Sequence, residues 1–306
     1  MQRRGGIGHV ARAATLSTME PVPVVVRRMH FDLEAAPRYW HSGSPFLTHY
    51  FTAMSLLFPP GEKFFIDSVR HFEDEITDPV LREQVRGFVG QEAQHSHHHR
   101  VYDRLMERDG VPVSRYEGWI ESLLQWVRRW LPAKAQLAAT ITLEHFTAVF
   151  ANQLLTQPRF TEGMDPNVRR LWLWHAVEET EHKAVAYDVY QQVSGSYWLR
   201  ALMMARMMFG FPFGIALFQV LLLAGDRKLG GFRDIARGLR LVWGKDGFVR
   251  SAFPELMVFF RRDFHPWQHD NREVIARWRE QNGERAAGVP AGLPPASPGD
   301  LAPART

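Results

Sequence analysis

The chain has 306 residues and a mass of 35.3 kDa, enough for one large domain or two small ones. Hydrophobic residues make up 45% and charged residues 23%, which excludes a disordered or fibrous chain. The basic excess of 37 − 33 = 4 gives no case for a nucleic-acid partner, although a pI near 9.5 suits an anionic membrane surface. With 0 cysteines, disulfides, Cys-ligated metals and cysteine nucleophiles are excluded, and chemistry falls to 14 His and the carboxylates.

Residues 1–24 carry Arg3, Arg4 and Arg12 with no acid before Glu20, and no apolar stretch long enough for a signal-peptide core. They read as a flexible N-terminus, weakly amphipathic or processed. Strand signals are scarce and helical patterns dominate. Pro45 to Leu57 reads as a helix broken at Pro59-Pro60-Gly61, followed by a second piece from Glu62 to about Ile76. Asp78 caps the next helix, with Pro79 at its first position, and that helix runs to Asp109 before Gly110-Val111-Pro112. Tyr116 to Trp130 is a shorter apolar-periodic piece, and Ala133 to about Gln157 a long apolar helix. Asp165-Pro166 repeats the cap chemistry and opens a helix to about Val193. The expectation is an all-α fold: a four-helix bundle of two hairpins over residues 25–200, with extra helices at the N-terminal and C-terminal sides, the latter over 201–275. From about Ala286 the Ala/Pro/Gly-rich stretch reads as a disordered tail, residues 286–306.

The second helix of each hairpin carries the same motif. Gln91-Glu92-Ala93-Gln94-His95 matches Glu178-Glu179-Thr180-Glu181-His182 position by position, and each contains Glu-x-x-His. At i, i+3 the two side chains share one helix face and can hold one ion. Each preceding helix offers an inward carboxylate, Glu62 or Glu144. In an antiparallel hairpin, residues at one level lie equidistant from the turn. The midpoint of 62 and 92 is Thr77, in the Thr-Asp-Pro turn, and that of 144 and 179 falls at Thr161/Glu162, in the second loop. Glu73, Asp74 and Glu75 fail this test.

The set is therefore Glu62, Glu92, His95, Glu144, Glu179 and His182, the ligand pattern of a ferritin-like dimetal carboxylate bundle. Carboxylate oxygens and imidazoles suit two ions of Fe, with Mn or Zn also accommodated. Four carboxylates nearly neutralise two divalent ions. Gln91 and Glu178, each just before a ligand Glu, could reach the His of the opposite helix. Glu178 is also a candidate catalytic carboxylate. His175, on the face of Glu179 and His182, reads as a catalytic pocket residue, a partner of a ligand, an extra ligand or a hydrogen-bonded core His. His99 sits one turn beyond His95 and could contact the site. His97 points to solvent, and His145 faces away from the metal side.

Gly61-Glu62-Lys63-Phe64-Phe65, Gly90-Gln91-Glu92-Ala93-Gln94-His95, Trp174 to Lys183 and Phe264-His265-Pro266-Trp267 resemble a bacterial family catalogued as predicted metal-dependent hydrolases. The resemblance covers residues 25 to 275, with every ligand position filled, and implies a metal-dependent hydrolase similar to ferritin-like proteins in its helical ligand pattern.

Met207 to Ala224 contains Gln219 as its only polar residue, and 18 residues of helix span about 27 Å, near the roughly 30 Å of a bilayer core. Pro212 is expected to kink it. Three readings stand: a buried helix over the bundle, a membrane-embedded or re-entrant helix, and an oligomer interface or lipid-like substrate channel. Gly231 to Trp243, with Arg233, Arg237 and Arg240, is a basic amphipathic helix suited to a membrane surface, an acidic partner or a solvated face. His265 and Trp267 are expected to anchor the end of the ordered chain.

The leading functional expectation is a di-iron enzyme performing oxygen-dependent oxidation of a small hydrophobic or lipid-like substrate. The alternatives are a hydrolase using a metal-activated water assisted by a carboxylate such as Glu178, a non-enzymatic metal store or carrier, and a membrane scaffold with a relic bundle. A cytoplasmic location, at the inner-membrane surface or embedded in it, and a homodimer complete the expectations. No Gly-x-Ser-x-Gly, phosphate-cradling loop or dinucleotide fingerprint is present.

Overall fold

The computed structural model describes residues 22–226 and 231–283, and the fold is all-α. The tail expected over 286–306 and most of the N-terminus expected over 1–24 lie outside the described residues. Residues 22–44 precede the first described helix as irregular chain and turns.

Helix α1 is Pro45–Arg70, capped by Ser44, whose hydroxyl accepts from the Leu47 N–H at 3.1 Å. It runs unbroken through Pro59-Pro60-Gly61, where the sequence suggests a break. The two prolines remove two backbone donors, but their fixed φ is itself helical and both rings are buried, so packing offsets the loss. This continuity puts Ser55, Phe58 and Glu62 on one face. The helix then ends at Arg70 rather than near Ile76, with Glu73–Glu75 forming a single 3₁₀ turn.

Helix α2 is Pro79–Arg108, with Asp78 accepting from the Val80 N–H at 2.9 Å. Helix α3 is Val113–Trp130 and α4 is Ala133–Thr156. Helix α5 is Pro166–His182, capped by Asp165. The expected continuation to Val193 is interrupted at Lys183-Ala184, after which α6 covers Val185–Val193. No glycine or proline marks that break. Lys183 is drawn aside by the His269 carbonyl (2.6 Å) and the Asn271 side chain, partners far along the chain.

Helices α1 and α2 pair as one hairpin and α4 and α5 as the other, packed around a single hydrophobic core. Helix α7, Tyr197–Asp226, continues as one helix through Pro212 and lies along α1 and α4. Helices α8 (Phe232–Trp243) and α9 (Phe248–Val258) follow, α9 packing on α4. His265 bonds Asp188 at 3.0 Å and Lys183 sits over the Trp267 ring at 4.2 Å. This motif is an internal anchor, because α10, Arg272–Gln281, continues beyond it and returns to α5.

Candidate metal centre

Glu62 comes from α1, Glu92 and His95 from α2, Glu144 from α4, and Glu179 and His182 from α5; all six are buried. Their donor atoms form overlapping groups within 4.8 Å: Glu92 with His95 and Glu179, and Glu92 with Glu144 and His182. A third group joins Glu62 and His95 to His175. Shared Glu92 and His95 make the three groups one centre. His182 Nε2 lies 3.1 Å from Glu92, 3.4 Å from Glu144 and 3.5 Å from Glu179, and His95 Nδ1 lies 3.5 Å from Glu179.

These atoms have nothing else to bond. Glu62 Oε1, both oxygens of Glu92 and of Glu144, His95 Nδ1, Glu179 Oε2 and His182 Nε2 are buried without a hydrogen-bond partner. Each orphaned buried polar atom costs about 1–3 kcal/mol. Eight of them lining one buried centre of overlapping groups fit cations, which satisfy carboxylate and imidazole lone pairs together. The residues present therefore fit the metal that the sequence implies.

The remaining imidazole nitrogens are fixed from behind. His95 Nε2 meets Glu178 Oε2 at 3.0 Å, and His182 Nδ1 donates to Gln91 Oε1 at 2.8 Å. The Gln91 amide is itself oriented, because its Nε2 donates to the Val25 carbonyl and to Glu181, each at 2.9 Å. Both rings thus turn a lone pair toward the centre. Glu178 faces away from the centre: its other oxygen accepts from Trp174 Nε1 at 2.9 Å and from Arg27 at 3.1 Å. Both of its oxygens are committed to His95, Trp174 and Arg27.

Arg27 is a residue that sequence reasoning missed. It bonds Glu178 and Glu181 from the irregular segment before α1, and Arg279 of α10 closes on Glu181 at 2.7 Å. Gly87 and Gly90 of α2 make room for that segment. A Cβ at Gly90 would meet Val26 at 2.5 Å, and one at Gly87 the Val24 carbonyl at 2.7 Å. The signal available in the sequence was Glu181, an acid within the motif that no metal requires.

His175 borders the centre, its Nε2 lying 3.0 Å from Glu179 Oε1 and 3.8 Å from Glu62 Oε1. Its Nδ1 meets His99 Nε2 at 2.7 Å, His99 Nδ1 meets Ser55 Oγ at 2.8 Å, and Ser55 Oγ lies 2.9 Å from Asp103 Oδ1. His99 therefore reaches the site only through His175. Burial, then the His95 charge, lowers His175 to about 4; burial, then His175, lowers His99; and burial raises Asp103 well above the carboxylate range. One donor direction runs through the whole chain: a protonated Asp103 to Ser55, Ser55 to His99, His99 to His175, and His175 to Glu179, with Asp103 Oδ2 left without a partner. His97 is exposed, and His145 turns to the Glu255 carbonyl at 3.3 Å.

Without metal, protons fill its electrostatic place. Burial and the neighbouring Glu92 push Glu62 well up, and burial pushes Glu144 up to about 8. Burial opposes a charge on His95, but its contacts with Glu178 and Glu179 more than offset this and raise it to about 10. His182 is raised in the same way by Glu179 and Glu144. Glu179, despite burial, is held well below the usual range by His182, His175 and His95. Loading metal must displace protons from this cluster.

An apolar cavity of about 30 Å³, bordered by Met54, Phe58, Phe150 and Phe211, reaches the centre at His175 and Glu179. No curated protein and no solved structure matches the chain. Residues 25–270 match the family described as predicted metal-dependent hydrolase, and the chain belongs to that family.

Proposed function

We propose that this chain is a hydrolase that holds two divalent ions and cleaves an ester-type bond in an apolar substrate. The observation that carries this reading is the convergence of eight unpartnered donor atoms from four helices on a centre that meets an apolar cavity. Glu62, Glu92, His95, Glu144, Glu179 and His182 would hold the ions, and His175 borders them with its Nε2–H turned to Glu179. When bound, such ions supply Lewis acidity and lower the pKa of water.

The chain's own residues supply the rest. Met54, Phe58 and Phe150 exclude bulk water and accept an apolar acyl group. His175 Nε2–H is the proton source for the departing alkoxide, and the His99–Ser55–Asp103 chain restores that proton. Glu178 and Gln91 are positioning residues that lock the two imidazoles, and Arg27 locks Glu178.

The carboxylate-rich donor set favours a second reading, oxygen-dependent oxidation of an apolar substrate at two irons, in the manner of ferritin-like di-iron proteins. One experiment separates them: metal content by plasma mass spectrometry on chain purified without chelators, with anaerobic hydrolysis of a p-nitrophenyl ester and oxygen uptake by the reduced chain. About two ions per chain with anaerobic ester cleavage supports hydrolysis. Oxygen uptake with two Fe and no ester cleavage moves the reading to oxidation. Retention of two metals in Glu92→Ala or Glu179→Ala would remove the site assignment altogether.

A further inference from the structure

Helix α7 is long and apolar enough to cross a membrane, yet only one of its faces is packed. The outward face carries Leu202, Arg206, Phe209, Phe213, Leu217 and Val220, spaced three or four apart, with Phe209 81% and Phe213 68% exposed. This stripe is about 27 Å long, at 1.5 Å per residue. On α3, Trp119, Leu123, Trp126 and Trp130 form a second exposed stripe, and on α8, Phe232, Leu239 and Trp243 form a third beside Arg233, Arg237 and Arg240.

Single contacts tie α3 and α8 to the C-terminal half of α7. Tyr116 of α3 packs on Phe218 and donates to the Leu221 carbonyl of α7 at 3.2 Å. Gln219 of α7 donates to the Phe46 carbonyl at 3.0 Å, and the Phe46 N–H donates to Asp234 of α8 at 3.2 Å. At about 100° per residue, Phe218 and Gln219 fall on opposite sides of the outward stripe. Helices α3 and α8 therefore flank α7 on its two sides.

We propose that this face docks on an anionic lipid bilayer, with α7 lying in the plane of the interface. Isolated exposed apolar side chains are ordinary, but exposed stripes on three linked helices mark an interaction surface. Tryptophans and arginines at the edges of an apolar face are the chemistry of an interfacial helix. Spanning is incompatible with the packing: α7 is attached along α1 and α4, so a crossing helix would carry the charged centre into hydrocarbon. A second copy across a two-fold axis perpendicular to α7 would set like-charged α8 helices against one another, which anionic headgroups would instead neutralise.

The docking also places the cavity. Phe211, on the inner side of α7, packs on Phe146 and Phe150 and borders the space that ends at His175 and Glu179. At about 30 Å³ that space admits an acyl chain only when Phe211 or a neighbour rotates. This route from bilayer to centre rests on the hydrolase reading; the docking does not.

The test is flotation of the full chain, metal-loaded and metal-free, with vesicles of phosphatidylcholine alone or with added phosphatidylglycerol. The chain should float with the anionic vesicles, bind neutral ones at least about tenfold less, and lose affinity with salt. Phe209→Glu with Phe213→Glu should lower partitioning roughly a hundredfold, with unchanged circular dichroism and metal content. Arg233→Glu with Arg240→Glu should erase the preference for phosphatidylglycerol. Wild-type chain that stays with the soluble fraction, equal binding to both vesicle types, or a double Phe variant that floats like wild type would overturn the proposal. A dimer seen by sedimentation and dissolved by the Phe variants, without flotation, would assign the face to a second copy. Metal content separates these outcomes from failure of the hydrolase reading, because the docking face contains no ligand.

Discussion

The interior between α2 and α5 and the outer face of α7 break the usual rule of burial in opposite directions. Where α2 meets α5, carboxylates and imidazoles are buried, and where α7 meets solvent, Phe209 and Phe213 are exposed. The inversions are not symmetric in cost. Burying an unpaired carboxylate costs several kcal/mol, whereas exposing a phenylalanine forgoes about 1.5–3 kcal/mol. The interior is therefore bound to its compensating partners, Arg27 and a cation, while the exterior persists with none. A chain that violates its own pattern in this way does so where something else is to be bound.

Breaking the interior should have the larger effects. Glu179→Ala removes the carboxylate that lies between both imidazoles, and metal content should fall to background with activity down on the order of a thousandfold; mass spectrometry and initial rates check this. Arg27→Ala leaves Glu178 and Glu181 with fewer cations in a buried setting, and should cost about 3 kcal/mol in denaturant unfolding. Gln91→Leu frees the His182 ring and should weaken metal binding about tenfold or more in a competition titration.

The comparison sharpens with pH. In chelated chain, Glu144 (raised to about 8) and His95 (raised to about 10) both bind protons more tightly folded than unfolded. Stability of the metal-free chain should therefore fall as pH rises from about 7 toward 8 and then 10, whereas Glu179, held low, and His175 and His99, lowered by burial, lose their contribution on acidification. Metal affinity should rise over the same interval as protons are released, which calorimetry in two buffers of different ionisation enthalpy measures. A metal-free melting temperature that climbs as pH rises from about 7 to about 10 would contradict the proton-filled centre. The exterior gives the smallest stability effect: Phe209→Glu with Phe213→Glu should shift unfolding by no more than about 0.5 kcal/mol per site while vesicle binding collapses.

What was legible in the sequence is what spacing encodes. The i, i+3 period puts each Glu and His on one face, and equal distance from a Pro-marked turn sets Glu62 and Glu144 level with their partners. The place of Gln91 and Glu178 just before a ligand sends them to the opposite imidazole. Asp78 and Asp165 cap where their chemistry dictates. All of this is local geometry, carried by helical period and turn chemistry.

Only the tertiary structure decided the rest. Burial of Pro59 and Pro60 kept α1 whole, and a carbonyl 86 residues away broke α5 after His182. Glycines on α2 admitted the segment that brings Arg27 to Glu178, 151 residues distant. The Asp103–Ser55–His99–His175 chain exists because α1 and α2 meet in one register and α5 closes on them. The sequence showed that Met207 to Ala224 is apolar; which side of it faces outward depended on α1 and α4 covering the other. Contacts between residues far apart carry no period, so their outcome is fixed by packing and by the buried charges that packing must satisfy.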